Sequence, residues 1–500
     1  MIDINKLRSI DKNIWFFRFK KFEDGLYLIT NDIGKYSFLT EKEFKDFIKW
    51  EIVNWDKYDE LIKKWFIKNE EYERTMTLKF AKKNQFLAFW PSLHIIVTTL
   101  RCNHQCQYCH AAVAPMDAIE LDMTEETAKK VVDTIFFTSN PNITIEFQGG
   151  EPLVNWNIVK YIIEYAEIKA QHLNKNLQLA LVSNLTLMDD EKLDYLVKHN
   201  VWISTSLDGN EEIHNFNRTF TDGNSFEQVT YRIKKINDKY KKEWIKDKWW
   251  DYKKVWALLT VTKKTLPKYK EVIDTYVNLW LNWIFLRSLN PYGFASVKLE
   301  KLWYTIDEFI DFYIKSMDYI LELNKKWINF REALSSIYLS KILTEYDPNY
   351  LDERSPCWAC IGQVAYNYDW KIYSCDEGRM LGRMWDDNFL MTKIKDSWEE
   401  TYKDMIESDT TKIMVQASTL DWLPWYNESV YKPYIWVCPI HSYKTSGNII
   451  PIYKKDLKRY MDEKILDYLF NKLKIKEDKD IFKKWLWMER NWVTSQCTTI

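Results

Sequence analysis

Glycine is almost missing from this chain: there are 11 in 500 residues, against a usual share of about 7%. That is too few for the φ > 0 positions that turns and helix ends normally demand. Tryptophan is abundant in its place, at 25, and the two together make 36, roughly what glycine alone should supply. Many of the tryptophans sit where a turn wants φ > 0. Asp369-Trp370-Lys371, between two strand-like runs, reads like a hairpin Asp-Gly. A tryptophan-rich core would not remove glycine from turns. The expectation is that several Trp mark a codon the source organism reads as Gly.

A charge of one sign is also lacking. Lys plus Arg is 71 and Asp plus Glu is 72, so the basic excess that nucleic acid or an anionic membrane favours is absent. No apolar run approaches the roughly 18 residues needed to span a bilayer. The opening Met1-Ile2-Asp3-Ile4-Asn5-Lys6 has no apolar signal-peptide stretch. These absences predict a soluble cytoplasmic protein with no nucleic-acid or membrane partner. At 46% hydrophobic and 29% charged the chain can build sizeable cores, and its length suggests about three domains.

The eight cysteines are too clustered for disulfide staples. Cys102, Cys106 and Cys109 form C-x3-C-x2-C, Cys357 and Cys360 a C-x2-C, and Cys375, Cys438 and Cys497 follow. Clustered thiols in a reducing compartment point to zinc or iron–sulfur. The first group has three thiols and no obvious fourth ligand, although His104 or His110 could close a zinc tetrahedron.

Upstream of that group, Ser92 to Thr99 is a β-branched run. A strand–helix alternation follows: helix from Thr124 (the N-cap) to Phe137, strand 143–148, helix 156–170, strand 177–183, helix 190–199, strand 201–207, helix 226–237, strand 255–261, helix 268–279 and strand 284–289. Six strands alternating with helices predict right-handed βαβ units around a parallel sheet. Functional residues should lie just past the strand C-termini. The cysteine loop, Gly149-Gly150-Glu151-Pro152, Ser183-Asn184, Ser204 to Gly209 and Asn290 to Gly293 all fall there.

The three-thiol loop after strand one and Gly-Gly-Glu-Pro after strand two resemble the radical S-adenosylmethionine (SAM) enzymes, over about Leu93 to Gly293. The resemblance implies a partial parallel (β/α)6 TIM-like barrel. It also implies that Cys102, Cys106 and Cys109 bind a 4Fe–4S cluster whose fourth iron chelates SAM, yielding a 5′-deoxyadenosyl radical that abstracts a substrate hydrogen. Gly149, Gly150, Glu151 and Pro152 would meet the SAM amino group, Ser183, Asn184 and Ser206 its ribose and methionine, Arg218 its carboxylate and Tyr108 its adenine.

The second cysteine group resembles the auxiliary-cluster (SPASM or twitch) domain of radical SAM peptide maturases, whose C-x9-15-G-x4-C pattern fits if Trp370 stands for Gly. The later cysteine segment of that domain is depleted here, with Tyr426, Ser429 and Ile435 where thiols would be. The resemblance therefore assigns Cys357, Cys360, Cys375 and Cys438 to one auxiliary 4Fe–4S cluster and leaves Cys497 over. Asp376 falls where such maturases place a carboxylate base. Within the superfamily, Phe147 to Leu153, Ser204 to Gly209, Phe285 to Arg287, Asn290 to Ala295 and Cys375 to Met380 resemble the His-Xaa-Ser system maturase. That implies a precursor polypeptide with His-Xaa-Ser repeats, a second radical SAM partner protein, and an electron donor such as flavodoxin or ferredoxin.

The expected organisation is an N-terminal α+β unit over 1–90, the radical SAM core over 91–300, a helical linker over 301–345, the auxiliary domain over 346–452 and a helical tail over 453–500. Ile14 to Phe19 and Leu26 to Thr30 read as a hairpin, and Thr40 with Glu43 as a capping box. This unit suits either a lid or a grip on a precursor by strand addition. The charged tail reads as a solvated face. The alternatives are an anaerobic sulfatase-type maturase that makes formylglycine and a zinc-thiolate scaffold without redox chemistry.

Overall fold

Alternating strands and helices become one sheet. The computed structural model describes residues 12–52, 55–69, 72–246, 252–345, 347–348 and 353–497, with side chains to 486 apart from those at 55, 72, 73 and 299. Strands Leu93–Thr99, Asn142–Gly149, Asn176–Val182, Trp202–Ser206, Trp256–Thr260 and Leu286–Arg287 run parallel, each paired with the next. Helices Glu125–Phe136, Trp156–His172, Asp190–Lys198, Ser225–Lys242 and Tyr269–Asn278 connect them. Their apolar faces meet the outward strand residues: Ile143, Ile145 and Phe147 are at most 1% exposed. This is the expected partial α/β barrel, with helices outside and a polar-lined interior.

The predicted last strand, 284–289, splits into Trp283–Ile284 and Leu286–Arg287, and the first piece pairs with Arg331–Glu332 instead. The buried Glu332 side chain accepts from the Leu286 N–H at 3.2 Å and from the Ser335 N–H at 2.6 Å. Its carboxylate thus takes one donor, the Leu286 N–H, at the point where the strand breaks. At the other edge, strand Gln363–Tyr366 adds parallel to Leu93–Thr99 and is followed by antiparallel Lys371–Tyr373 and Leu390–Lys393, making nine strands.

The N-terminal hairpin forms, with a third strand, Tyr36–Leu39, that patterning did not reveal. The capping box is present: Thr40 N–H donates to Glu43 at 2.8 Å and Glu43 N–H to the Thr40 hydroxyl at 3.3 Å. The unit is fastened to the far end of the chain. Thr30 donates to the Val430 carbonyl at 2.7 Å, Tyr434 to the Gly34 carbonyl at 3.0 Å, and Lys20 pairs with Asp467 at 2.6 Å.

The C-terminal helices correct the reading of a solvated tail. In helix Leu457–Leu473, Ile465, Leu466, Leu469 and Phe470 are fully buried, as is Phe482 in Lys476–Cys497. They cover helices Ile306–Lys325 and Ala333–Leu343, the second of which is buried along most of its length and must be enclosed. The Cys497 side chain lies outside the described residues.

Backbone angles bear on the missing glycines. Trp50, Trp65, Trp244, Trp280, Trp327, Trp370, Trp385 and Trp425 all have φ between 57° and 70°. Six of them close helices in one pattern. Trp327 N–H bonds to the Asn324 carbonyl and Ile328 N–H to the Leu323 carbonyl, both at 3.0 Å; Trp50, Trp65, Trp244, Trp280 and Trp385 repeat this with their neighbours. That is the Schellman motif, whose left-handed residue is usually glycine. Trp280, Trp327 and Trp385 are 81%, 89% and 95% exposed, so packing does not hold them there. At ~1 kcal/mol or more per side chain in this conformation, eight such sites cost on the order of 10 kcal/mol, comparable to a domain's whole stability. The geometry supports the expectation of glycine at these eight positions. Trp327→Gly should raise unfolding stability by about 1 kcal/mol, measured by denaturant titration. Tandem mass spectrometry of the protein from its own cells should find glycine at positions 327, 370 and 385, and tryptophan there would contradict it.

Candidate active site

The three-thiol loop starts where strand Leu93–Thr99 ends. The Arg101 guanidinium pairs with Asp122, its Nε at 2.8 Å from Oδ1, which braces the loop root. Cys102 N–H donates to the Ala114 carbonyl at 3.1 Å, and Cys109 N–H to the Cys106 carbonyl at 3.2 Å. The short strand His104–Cys106 pairs with Arg218–Phe220, bringing Cys106 opposite Arg218. Burial pushes Cys102 well up, with Cys106 and Glu151 adding to this, and lifts Cys106 to about 11 against the nearby Arg218 guanidinium. A metal group bound by these thiols would take the place of their protons.

Gly149 and Gly150 are forced by this loop. A Cβ on Gly149, at φ 128°, would lie 2.3 Å from the Thr99 carbonyl oxygen, and one on Gly150 2.2 Å from that of Arg101. Gly150 N–H donates to Thr99 at 2.9 Å and Glu151 N–H to Arg101 at 2.8 Å. The buried Glu151 carboxylate accepts from the Ser183 hydroxyl at 2.8 Å, the Asn184 N–H at 2.8 Å and the Leu153 N–H at 3.1 Å. Burial still raises its pKa, against these donors. Pro152 starts the short turn of helix after it. The Asn184 amide points at the Cys102 sulfur, 3.9 Å away. Four strand ends thus converge where the sequence placed the site, Ser206 being the last residue of strand Trp202–Ser206.

Tyr108 is only 6% exposed, and its hydroxyl donates to Asp208 at 2.6 Å while accepting from Arg218 at 2.8 Å, a brace across the loop. Arg218 is spent in part on that brace; its Nε has no partner among the described residues and is buried, so one donor remains for an anionic group. Sequence reasoning missed Asp208 as the keystone, though it sits in the Ser204–Gly209 segment past strand four. Asp208 Oδ1 also accepts the Thr260 N–H at 3.3 Å.

In the second group, the charges of Cys438 and Cys357 both act on Cys375, and all three are buried or half-buried. Cys360 stands apart: its thiol meets the Thr411 hydroxyl, and burial lifts it to about 12. Among the described residues, no three His, Cys, Asp or Glu side chains gather closely enough to hold a single metal ion. Helix Asp376–Arg383 begins directly after Cys375, and the Asp376 carboxylate accepts from Arg379 Nε at 2.7 Å.

A cavity of about 1210 Å³ runs through the barrel, lined among others by Glu146, Gln148, Ser204, Arg287, Asp376 and Glu377. No helix among the described residues is long and apolar enough to cross a membrane.

A half-barrel with a three-thiol loop welded to a Gly-Gly-Glu ledge defines a class. Residues 96–247 match the Radical SAM superfamily. The chain is 30% identical over 301 residues to a cysteine-type anaerobic sulfatase-maturating enzyme of Clostridium perfringens, covering 57% of this chain and 74% of that one. It is 25% identical over 235 residues to the radical SAM cyclopropyl synthase TigE of Paramaledivibacter caminithermalis, covering 43% and 46%. The solved structure of anSMEcpe with bound AdoMet superposes with TM-score 0.64 at 18% identity, over 80% of this chain and 99% of that one. The form that also holds the Cp18Cys peptide gives 0.61 at 19% identity, over 78% and 100%. This chain belongs to the radical SAM superfamily, whose enzymes use SAM and a 4Fe–4S cluster. It spans under half the length, 42% and 46%, of two curated relatives it matches.

Because only backbone atoms meet the added carbon, Gly150→Ala should abolish iron uptake at the three-thiol loop, seen as loss of about four irons per chain. Unchanged iron content would contradict the weld between ledge and loop.

Proposed function

We propose that this chain is a radical SAM maturase that modifies one residue of a ribosomally made polypeptide by hydrogen abstraction. The observation that best supports this is the cavity, whose lining includes Gln148, the residue before the Gly149-Gly150 ledge, together with Asp376 and Glu377, which directly follow Cys375. The thiols of Cys102, Cys106 and Cys109 would hold the cluster, and Glu151, Asn184 and the free Arg218 Nε would orient SAM. Cluster and SAM together would supply a one-electron route to a hydrogen-abstracting deoxyadenosyl group. The barrel wall keeps water away from the reacting residue. Asp376, held by Arg379, would take the proton that the oxidised substrate gives up.

Cys357, Cys375 and Cys438 would carry one auxiliary cluster, with Cys360 as fourth ligand once its thiol turns from Thr411. The finer reading is a His-Xaa-Ser repeat polypeptide as substrate, with a second radical SAM protein and a flavodoxin or ferredoxin as partners. The N-terminal unit, with Arg18–Lys21 at an edge of its sheet, would grip the precursor by strand addition. A second reading, formylglycine formation on a sulfatase peptide, is favoured by the 30% identity to the sulfatase-maturating enzyme and by the same Asp376.

Anaerobic iron–sulfur reconstitution tests the proposal. About eight irons per chain and deoxyadenosine release from SAM under reductant are expected, with about four irons and all release lost in the Cys102/Cys106/Cys109 triple-Ala variant. Zinc in place of iron, with no deoxyadenosine, would overturn it. Oxidation of a sulfatase cysteine peptide, with none of a His-Xaa-Ser peptide, would select the second reading.

A further inference from the structure

Arg354 is a buried cation that none of the steps above uses. It is only 4% exposed, and its Nε has no hydrogen-bond partner among the described residues. The Phe86 ring lies against its guanidinium, with the central carbon 3.6 Å from the ring centroid. An aromatic face attracts a cation but does not neutralise it. A guanidinium keeps its proton inside proteins, so its burial has to be offset by an anion.

The chain around it points to where that anion belongs. Arg354 stands three residues before Cys357, and its Nη2 lies 2.9 Å from where a Cβ on Gly362 would be, just past Cys360. The loop that carries both thiols therefore bends round the guanidinium. Burial pushes Arg354 well below its usual pKa, while Cys357, ahead of Asp347, acts the other way. The other two thiols meet the positive ends of helices. Cys375 is the N-cap of Asp376–Arg383 and Cys438 that of Pro439–Ser446, where its sulfur accepts the His441 N–H at 3.4 Å.

We propose that Arg354 is the counter-charge of the second thiol group, stabilising the negative charge that a cluster there takes up on reduction and so raising its reduction potential. A 4Fe–4S group on four thiolates is a net anion that becomes more negative with the added electron, and its net charge and burial help to set its potential. Arg354 touches no reacting atom and acts through the cluster. This rests on the reading of the second group as a cluster site and names the residue that tunes it. Arg354 also lines the barrel cavity, so a carboxylate of the bound polypeptide is the rival anion. The wrapping of the guanidinium by the Cys357–Gly362 loop favours the cluster.

The test is a mediated potentiometric titration of the reconstituted full chain, followed by the paramagnetic resonance component that SAM does not alter. Arg354→Met keeps an apolar stem over Phe86 and drops the charge. It should keep about eight irons and lower the reduced-to-oxidised ratio of that component at least ~10-fold at a fixed potential, a shift of about 59 mV for one electron. Arg354→Lys should restore most of the ratio. If Arg354→Met loses about four irons while Arg354→Lys keeps them, the positive charge is needed already at assembly and the proposal stands. Loss in both variants would assign Arg354 to packing and overturn it. So would an unchanged potential in Arg354→Met, or a shift that Arg354→Lys fails to reverse. Weaker binding of the polypeptide with an unchanged potential would give Arg354 to the rival anion. A wild type with only about four irons and no SAM-indifferent component would sink the auxiliary-cluster reading and this role with it; eight irons with no shift sinks the role of Arg354 alone.

Discussion

The structure depends on one close approach, that of the Gly149-Gly150 backbone to the carbonyls of Thr99 and Arg101. There is no room for a Cβ at either glycine, and the hydrogen bonds from Gly150 and Glu151 lock the end of the second strand onto the root of the cysteine loop. Everything chemical follows from that weld. Glu151 is carried to Ser183 and Asn184 at the third strand, Asn184 to Cys102, and Cys106 to Arg218 through the short strand pair. The Tyr108–Asp208–Arg218 chain then braces the loop from the fourth strand's side. In a chain with so few glycines, two are spent where substitution is sterically impossible.

The same sheet joins the two thiol groups. Strand Gln363–Tyr366 adds to the edge at Leu93–Thr99, so the strand leading into the three-thiol loop is hydrogen-bonded to the strand that leads towards Cys375. The second group is therefore positioned by continuous backbone pairing and not by a flexible linker. Helix Asp376–Arg383 hangs from that pairing and presents Asp376 and Glu377 to the barrel cavity. Rigid elements place catalytic groups more exactly than loops do, and Asp376 and Glu377 stand on the first turn of a helix.

Much of this was legible from the chain. Period-two runs located five of the six barrel strands nearly in full, and capping residues such as Thr124 and Thr40 marked helix starts because they act locally. The split of the sixth strand was not legible, since it depends on Glu332, some 45 residues away. Nor was the burial of the C-terminal helices, whose high charge hid apolar positions matched to a distant partner. The contact of the Cys360 thiol with Thr411 was not legible either, because its partner lies far along the chain. Asp208 carried a signal that was passed over: it is a charged residue beside an apolar strand, where burial is expensive unless the group has a use. The tryptophans were the clearest case, because composition alone exposed a shortage that the backbone angles then located.

The measurement that most directly tests the central claim, a SAM-chelating cluster held by the loop that the glycine ledge supports, is electron paramagnetic resonance of the anaerobically reduced protein with and without SAM. The account predicts a reduced-cluster component that changes shape when SAM is added and is lost in a Cys106→Ala variant, which keeps only the SAM-indifferent signal of the auxiliary cluster. A spectrum wholly indifferent to SAM, or a SAM-sensitive component that survives the loss of Cys106, would contradict it.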